Sequence, residues 1–82
     1  MKQQTATLKQ HCEAAFPSLK WEESHPPAFQ RAIAKTHGLD VMLEKSTFTW
    51  EYQSRCFAHY REIYATPACS SPGEAIAMMR AW

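Results

Sequence analysis

The sequence predicts an α+β domain in which an antiparallel sheet of three to four strands carries an N-terminal and a C-terminal helix packed on one face. Two observations predict the helices: apolar residues recur at helical spacing near both ends of the chain, and each run starts at a capping residue. A third observation predicts the sheet, since the middle of the chain alternates apolar and polar side chains. A chain of 82 residues suffices for a single small domain, spanning 1–82.

The first helix is predicted over Thr5–Phe16. Thr7 is the expected N-cap, and Gln10 stands three residues later, where a capping box places its second member. Pro17 ends the helix because proline biases the residue before it away from the helical region. The apolar face of this helix carries Leu8, Cys12, Ala15 and Phe16.

Two strands are expected next, and the second of them has an alternative. Leu19–Glu23 alternates and predicts a short strand, which ends at His25-Pro26-Pro27 because prolines remove donors from the sheet. Residues 28–37 suit either a helix that ends at Gly38 or a strand. We favour the strand because the turn lengths then match an antiparallel meander, and the helix over 28–37 stays as the alternative.

The clearest strand pattern lies in the middle of the chain. Leu39–Lys45 alternates, and Lys45-Ser46 connects it to a strand over Thr47–Gln53, so the two segments predict a hairpin. One face of the second strand carries Phe48, Trp50 and Tyr52. We expect these rings to form the floor of the core under both helices, because so small a domain needs its best apolar face. The alternative is a platform on which nucleic-acid bases stack.

The next segment also allows two structures. The chain is expected to turn at Gln53-Ser54-Arg55 and to form a strand over Phe57–Ala65, where Tyr and Ile favour a strand. A helix over 55–65 stays as the alternative, since apolar residues also recur there at helical spacing.

The C-terminal helix has the strongest start signal in the chain. Ser71 is the expected N-cap, Pro72 takes the first helical position and Glu74 completes a capping box. The helix is predicted to run to the chain end, with an apolar face made by Ala75, Ile76, Met79 and Trp82.

The charge pattern argues against two classes of function. Nine Lys and Arg residues face eight Asp and Glu residues, and the two signs are interspersed. The chain therefore lacks both the basic stripe of a duplex-DNA binder and the strongly acidic surface of a DNA mimic. A small nucleic-acid-binding module remains an alternative because the helix–sheet–helix order is loosely similar to the double-stranded RNA-binding domain. However, the start of the last helix is not basic here.

The cysteines and histidines predict no catalytic, metal or cofactor site. The three cysteines are odd in number and the first ten residues lack a secretory signal, so reduced thiols in a cytoplasmic protein are expected. No apolar run approaches the ~18 residues that span a membrane. Only Cys56-x2-His59 approaches a metal-ligand pair, and no elbow positions Cys12 as a nucleophile. A small metal- or cysteine-dependent enzyme is the least favoured hypothesis.

A protein partner is the favoured explanation for the residues left outside the core. Tyr, Trp, Met and Arg remain there, and these types are enriched in protein interfaces. The partner would be another protein or a second copy of the chain. The predicted contact residues are Arg55, His59, Tyr60, Arg61 and Tyr64.

Three segments carry a resemblance to a known group of proteins: Phe16-Pro17-x-Leu19-x-Trp21, Thr49-Trp50-Glu51-Tyr52 and Ser71-Pro72-Gly73-Glu74-Ala75. Their layout resembles that of very short inhibitor proteins from phages and mobile elements, including anti-CRISPR proteins. The resemblance implies a non-enzymatic protein that binds and blocks a site on a bacterial defence complex. It transfers no functional residue to this chain.

Overall fold

A computed structural model describes residues 7–25 and 29–81, which form a five-stranded antiparallel sheet and two helices. The α+β class with a helix at each end is confirmed, and the sheet has five strands instead of three to four. Predictions about Thr5, Ala6, residues 26–28 and Trp82 lie outside the described residues. In chain order the elements are α1 (Leu8–Ala15), β1 (Glu22–Ser24), β2 (Phe29–Thr36), β3 (Leu39–Ser46), β4 (Tyr52–Ala58), β5 (Arg61–Ala65) and α2 (Pro72–Ala81).

Both helices begin where their capping residues predicted. The Thr7 hydroxyl accepts a hydrogen bond from the Gln10 amide at 3.1 Å, and the Gln10 side chain accepts one from the Thr7 amide at 2.8 Å. At α2 the Ser71 hydroxyl accepts from the Glu74 amide at 3.2 Å. These bonds satisfy amides that no preceding turn can satisfy, so the local sequence determines both helix starts.

The choice of a strand for residues 28–37 is confirmed for the described part, and the helix alternative is wrong. β2 pairs with β1 on one side and with β3 on the other. The connection to β3 is a two-residue turn in which His37 and Gly38 have φ values of 49° and 78°. Such turns match the twist of the strands they join. The Arg31 side chain stays outside the core, because it lies on the side of the sheet away from the helices.

The first strand begins further along the chain than predicted. β1 covers Glu22–Ser24, whereas Leu19 and Trp21 pack in the core. Trp21 donates a hydrogen bond from its indole nitrogen to the Phe16 carbonyl oxygen at 3.3 Å, and the rings of these two residues lie 6.1 Å apart. Packing of the indole against the end of α1 thus takes the place of strand pairing at this position.

The predicted strand over Thr47–Gln53 is wrong, and so is the core role of its rings. Residues 47–49 form a turn, and β4 begins only at Tyr52. The Ser46 hydroxyl accepts hydrogen bonds from the amides of Phe48 and Thr49 at 3.1 and 3.2 Å, and this local bonding competes with strand pairing. Phe48 is consequently 78% exposed and Trp50 67% exposed, and of the three rings only Tyr52 packs against the core.

The following turn and strand are also displaced from their predicted places. Gln53-Ser54-Arg55 is the middle of β4, and the chain turns instead at His59 and Tyr60, whose φ values are 51° and 63°. The predicted strand over Phe57–Ala65 is therefore a hairpin, and the helix alternative over 55–65 is wrong. This turn lacks the Asn-Gly sequence that usually marks its geometry. The sequence pattern therefore did not indicate a turn at this position.

The core lies between the two helices and one side of the sheet, which we call the covered face. Strands supply mainly small side chains to it, so the helices can approach the sheet closely. The Ser54 hydroxyl donates a hydrogen bond to the Ala75 carbonyl oxygen at 3.0 Å, which ties β4 directly to α2. The buried cluster comprises Leu8, Cys12, Trp21, Ala32, Ala34, Leu43, Cys69, Ala75 and Ile76.

Candidate functional site

The opposite side of the sheet, which we call the open face, is the first candidate surface for binding. Side chains alternate between faces along each strand, so the register assigns them. Both helices pack on the covered face, and no helix or strand among residues 7–25 and 29–81 packs on the open one. The open face is formed by Phe29, Arg31, Ile33, Lys35, Asp40, Met42, Glu44, Gln53, Arg55, Phe57 and Glu62.

Four charged side chains cross the open face in a row from β2 to β5, which we call the charge row. Arg31 contacts one oxygen of Glu44 through Nε and Nη2, both at 3.0 Å. The other Glu44 oxygen lies 3.1 Å from Arg55 Nε, and Arg55 Nη1 donates to Glu62 at 3.1 Å. The charges therefore alternate as plus, minus, plus, minus, with Glu44 only 15% exposed at the centre.

One contact in this row, between Arg55 Nε and Glu44, lacks hydrogen-bond geometry. Arg55 Nε is close enough to Glu44 for a charge interaction, yet its N–H direction does not meet hydrogen-bond geometry toward any acceptor among the described residues. The distance and the geometry thus describe an ion pair without a directed hydrogen bond. A buried N–H in this situation keeps the capacity to donate to a further acceptor.

Large apolar side chains flank the charge row. Ile33 lies directly opposite Met42 in the register, and Phe57 follows on the neighbouring strand. On the other flank the Arg31 guanidinium stacks over the Phe29 ring at 4.7 Å. These side chains are half-buried only by their neighbours on the same face, so a covering molecule would remove further apolar area from water.

A second candidate surface is the connection between β3 and β4, residues 47–51, which we call the aromatic loop. Besides the two bonds to the Ser46 hydroxyl, the Trp50 amide donates to the Ser46 carbonyl oxygen at 3.1 Å. The Ser46 amide donates to the Glu51 carbonyl oxygen at 3.0 Å. Four hydrogen bonds therefore hold the backbone of a loop whose two rings point into solvent. Lys45 Nζ lies 4.8 Å above the Trp50 ring, which orients the indole further.

A groove of about 380 Å³ separates the aromatic loop from the charge row. Its wall includes Thr49 of the loop and Phe29 of β2, and the charged groups at its base are paired with one another. The groove therefore combines the paired charges of the row with the carboxylate of Glu51 from the aromatic loop.

The five predicted contact residues do not form one surface. Arg55 belongs to the charge row, whereas the Tyr64 hydroxyl donates to the Met78 carbonyl oxygen at 3.2 Å on the side of the sheet that carries the helices. His59 and Tyr60 form the exposed β4–β5 turn, and Arg61 begins β5. Tyr60 is 98% exposed at a φ of 63°, so this turn is a separate, smaller projection.

The thiols of Cys12 and Cys56 are buried within the fold. Burial, reinforced by the nearby Glu13 and Glu23 carboxylates, raises the pKa of the Cys12 thiol to about 12. Burial, with Asp40 adding to it, also raises the pKa of Cys56. A protonated thiol is a poor nucleophile at neutral pH. No group of three or more possible metal ligands converges within the described residues.

Sequence reasoning missed the charge row as a cluster, and it considered Phe48 and Trp50 as a binding surface only as the alternative to a core role. The charge row depends on register, which places Arg31, Glu44 and Arg55 together although they are far apart in sequence. The aromatic loop had one available signal: Ser46 and Thr47 are residue types that form local side-chain turns, and they precede the first exposed ring.

Two further findings complete the description of the chain. No helix in the described ranges has the length and apolar character needed to cross a membrane. Comparisons with family models, curated proteins and solved structures found no match to this chain.

Proposed function

We propose that this protein is a non-enzymatic binding domain that docks onto another protein through the aromatic loop. The observation that carries the proposal is Trp50, a large apolar ring that stays 67% exposed on a hydrogen-bonded loop. Exposed tryptophan on an ordered surface is the residue type that most often dominates the binding energy of protein interfaces.

Neither the fold nor the local backbone accounts for a tryptophan at this position. Its ring is not part of the buried cluster, so the core does not require it. Its φ of 61° is a conformation that glycine or asparagine adopts at lower cost. Binding to a partner supplies the missing reason, since the exposed ring would then be buried.

The loop is also suited to binding because it is already ordered. Association costs free energy when loops and side chains must be immobilised, and a hydrogen-bonded loop with stiff aromatic side chains reduces that cost. Phe48, at 78% exposure on the same loop, would add a second apolar contact.

The kind of partner follows from the resemblance to phage and mobile-element inhibitors. In this proposal the protein acts in the cytoplasm, where its cysteines stay reduced, and occludes a site on a bacterial defence complex. An interference assay tests this part: bacteria with an active CRISPR system should lose protection against a targeted plasmid when the protein is present. Unchanged protection across several system types would contradict the anti-CRISPR assignment while leaving protein binding open.

The central experiment replaces the exposed rings. Tagged protein should retain a partner from a bacterial lysate, and Trp50→Ala should weaken that binding by about 30-fold or more, the effect of a hot-spot residue. Met78→Ala is the matched control, because Met78 is also an exposed apolar side chain but lies on α2. Binding that survives Trp50→Ala together with Phe48→Ala, in folded protein, would refute the aromatic loop as the binding site.

A second candidate function is binding of single-stranded nucleic acid. The observation that favours it is Lys45, whose ammonium group lies 4.8 Å from Trp50 and 5.5 Å from the Tyr52 ring, a combination of rings and positive charge that binds bases and phosphates. A gel-shift assay at two salt concentrations discriminates, since nucleic-acid binding should weaken strongly as salt rises. Absence of a shift at low salt would remove this candidate.

A further inference from the structure

The signs of the charge row are self-complementary across four strands. Its order from β2 to β5 is Arg31, Glu44, Arg55, Glu62, so the signs read plus, minus, plus, minus. Reading the same row in reverse gives minus, plus, minus, plus. A copy of the row laid over the original in reverse order therefore meets the opposite sign at every position.

We propose that a second copy of this chain covers the open face in a two-fold symmetric dimer. A two-fold axis that lies in the interface and crosses the row between Glu44 and Arg55 reverses the row. It then places Arg31 over Glu62 of the second copy and Glu44 over Arg55 of the second copy. Both contacts occur twice, as in an isologous interface, where one patch binds its own copy.

The exposure of the two arginines permits the same arrangement. The Arg31 and Arg55 side chains are 32% and 36% exposed on the open face. The two-fold axis brings Glu62 of the second copy toward Arg31 and Glu44 of the second copy toward Arg55. Because the charges of the row are already paired within the chain, the second copy can cover the row without leaving one of them unpaired.

The apolar part of the open face gives the dimer its driving force. Ile33, Met42 and Phe57 lie beside the charge row and would be removed from water. Four strands spaced ~4.8 Å apart and about 27 Å long offer roughly 500 Å² per copy, or roughly 1,000 Å² in total. That area is at the lower end for specific complexes, so we expect a dimer with a micromolar dissociation constant.

This inference rests on other side chains than the proposed function, because Trp50 lies on the side of the sheet opposite the charge row, although Thr49 and Glu51 of the aromatic loop border the open face. Trp50 packs beside Lys45, and the register places Lys45 with Tyr52 on the side that carries the helices. Failure of the dimer would therefore leave the lysate experiment unaffected. Conversely, Trp50→Ala should leave the dimer intact.

Sedimentation of the full chain from about 1 to about 200 µM tests the dimer directly, since mass action makes the dimer fraction rise with concentration. The expected result is a monomer–dimer equilibrium that weakens between about 0.05 and about 1 M NaCl, because salt screens the facing charges. A monomer throughout this concentration range at low salt would overturn the proposal. Binding of an unrelated protein or peptide to the open face of that monomer would assign the surface to another occupant.

Charge exchange tests the predicted pairing of residues. Glu62→Arg alone and Arg31→Glu alone should each weaken self-association at least tenfold, because each change places like charges together at both ends of the row. A mixture of the two variants should restore dimers, since every position again faces an opposite charge. Met78→Lys on α2 is the control and should dimerise like the original chain.

Two outcomes of this exchange would contradict the inferred pairing. The first is that folded single variants still dimerise as before, and the second is that both are monomeric and their mixture stays so. If either single variant fails to fold, Met42→Lys replaces it. Met42 is half-buried on the open face, so its substitution should dissociate the dimer while the monomer folds. A folded Met42→Lys chain that dimerises unchanged would also overturn the proposal.

Discussion

The two faces of the sheet differ in what fills them and in what covers them. At its centre the covered face places the buried Leu43 between the small side chains of Ala32 and Ser54, and α2 approaches closely enough for Ser54 to bond it. The open face carries charged side chains and half-buried apolar ones, such as Met42 and Phe57, on the same strands. The helices therefore stabilise the fold by burying one face, whereas the apolar side chains of the other face remain available to a partner.

The sharpest test of this comparison uses two neighbours on β3 that point to opposite faces. Leu43 is 1% exposed in the core, and Leu43→Ala should lower the free energy of unfolding by about 2–5 kcal/mol because it leaves a cavity. Met42→Ala on the open face should cost about 1 kcal/mol or less. Denaturant unfolding of dilute protein measures both. Equal losses would show that the open face belongs to the stabilising core.

A smaller effect is expected from the centre of the charge row. Glu44→Gln should destabilise the fold by about 1–2 kcal/mol, because two arginines lose the carboxylate between them in a partly buried site. Glu62→Gln, at the exposed end of the row, should cost about 0.5 kcal/mol or less because solvent screens it. Thermal unfolding in low salt measures the difference. If Glu44→Gln were neutral, the row would contribute nothing to the fold, and its role would be confined to binding.

The smallest effect concerns the helix that covers β4. Hydrogen bonds from the hydroxyl of Ser70, and then from that of Ser71, lower the pKa of Glu74 at the start of α2. Its contribution to stability is therefore complete above the unfolded pKa of about 4.3 and is lost as pH falls through the lower folded value. NMR titration of the Glu74 carboxyl group measures this pKa. Ser70→Ala should return it toward the ordinary range, and an original pKa at or above that range would refute the cap interaction.

Elements defined by neighbouring residues were predictable, and elements defined by pairing were not. The Thr7–Gln10 and Ser71–Glu74 caps form within a few residues, so their residue types were sufficient to place both helices. The alternation over Leu39–Lys45 likewise corresponds to β3, whose covered face carries the buried Leu43 and the partly buried Val41. The fold class followed from these elements and their order.

The prediction for Thr47–Gln53 failed because its alternation did not correspond to burial. The pattern of Phe48, Trp50 and Tyr52 is typical of a strand, but hydrogen bonds to Ser46 turn the chain before the first ring. Those bonds and strand pairing are close in free energy, so the sequence pattern alone could not choose between them. The predicted contact residues failed to form one surface for a related reason, since the turn at His59 and Tyr60 was placed at Gln53-Ser54-Arg55.

The sequence by itself determined the fold class, the two helix starts and the strand character of β3, because capping and alternation act over short distances, whereas it left residues 28–37 open between a strand and a helix. Only the tertiary structure decided which rings are buried and which charges meet. Arg31, Glu44, Arg55 and Glu62 become neighbours through the register of four strands. Register is set by the whole sheet and its core, and a one-residue shift in the pairing of any of these strands would turn its side chains to the other face.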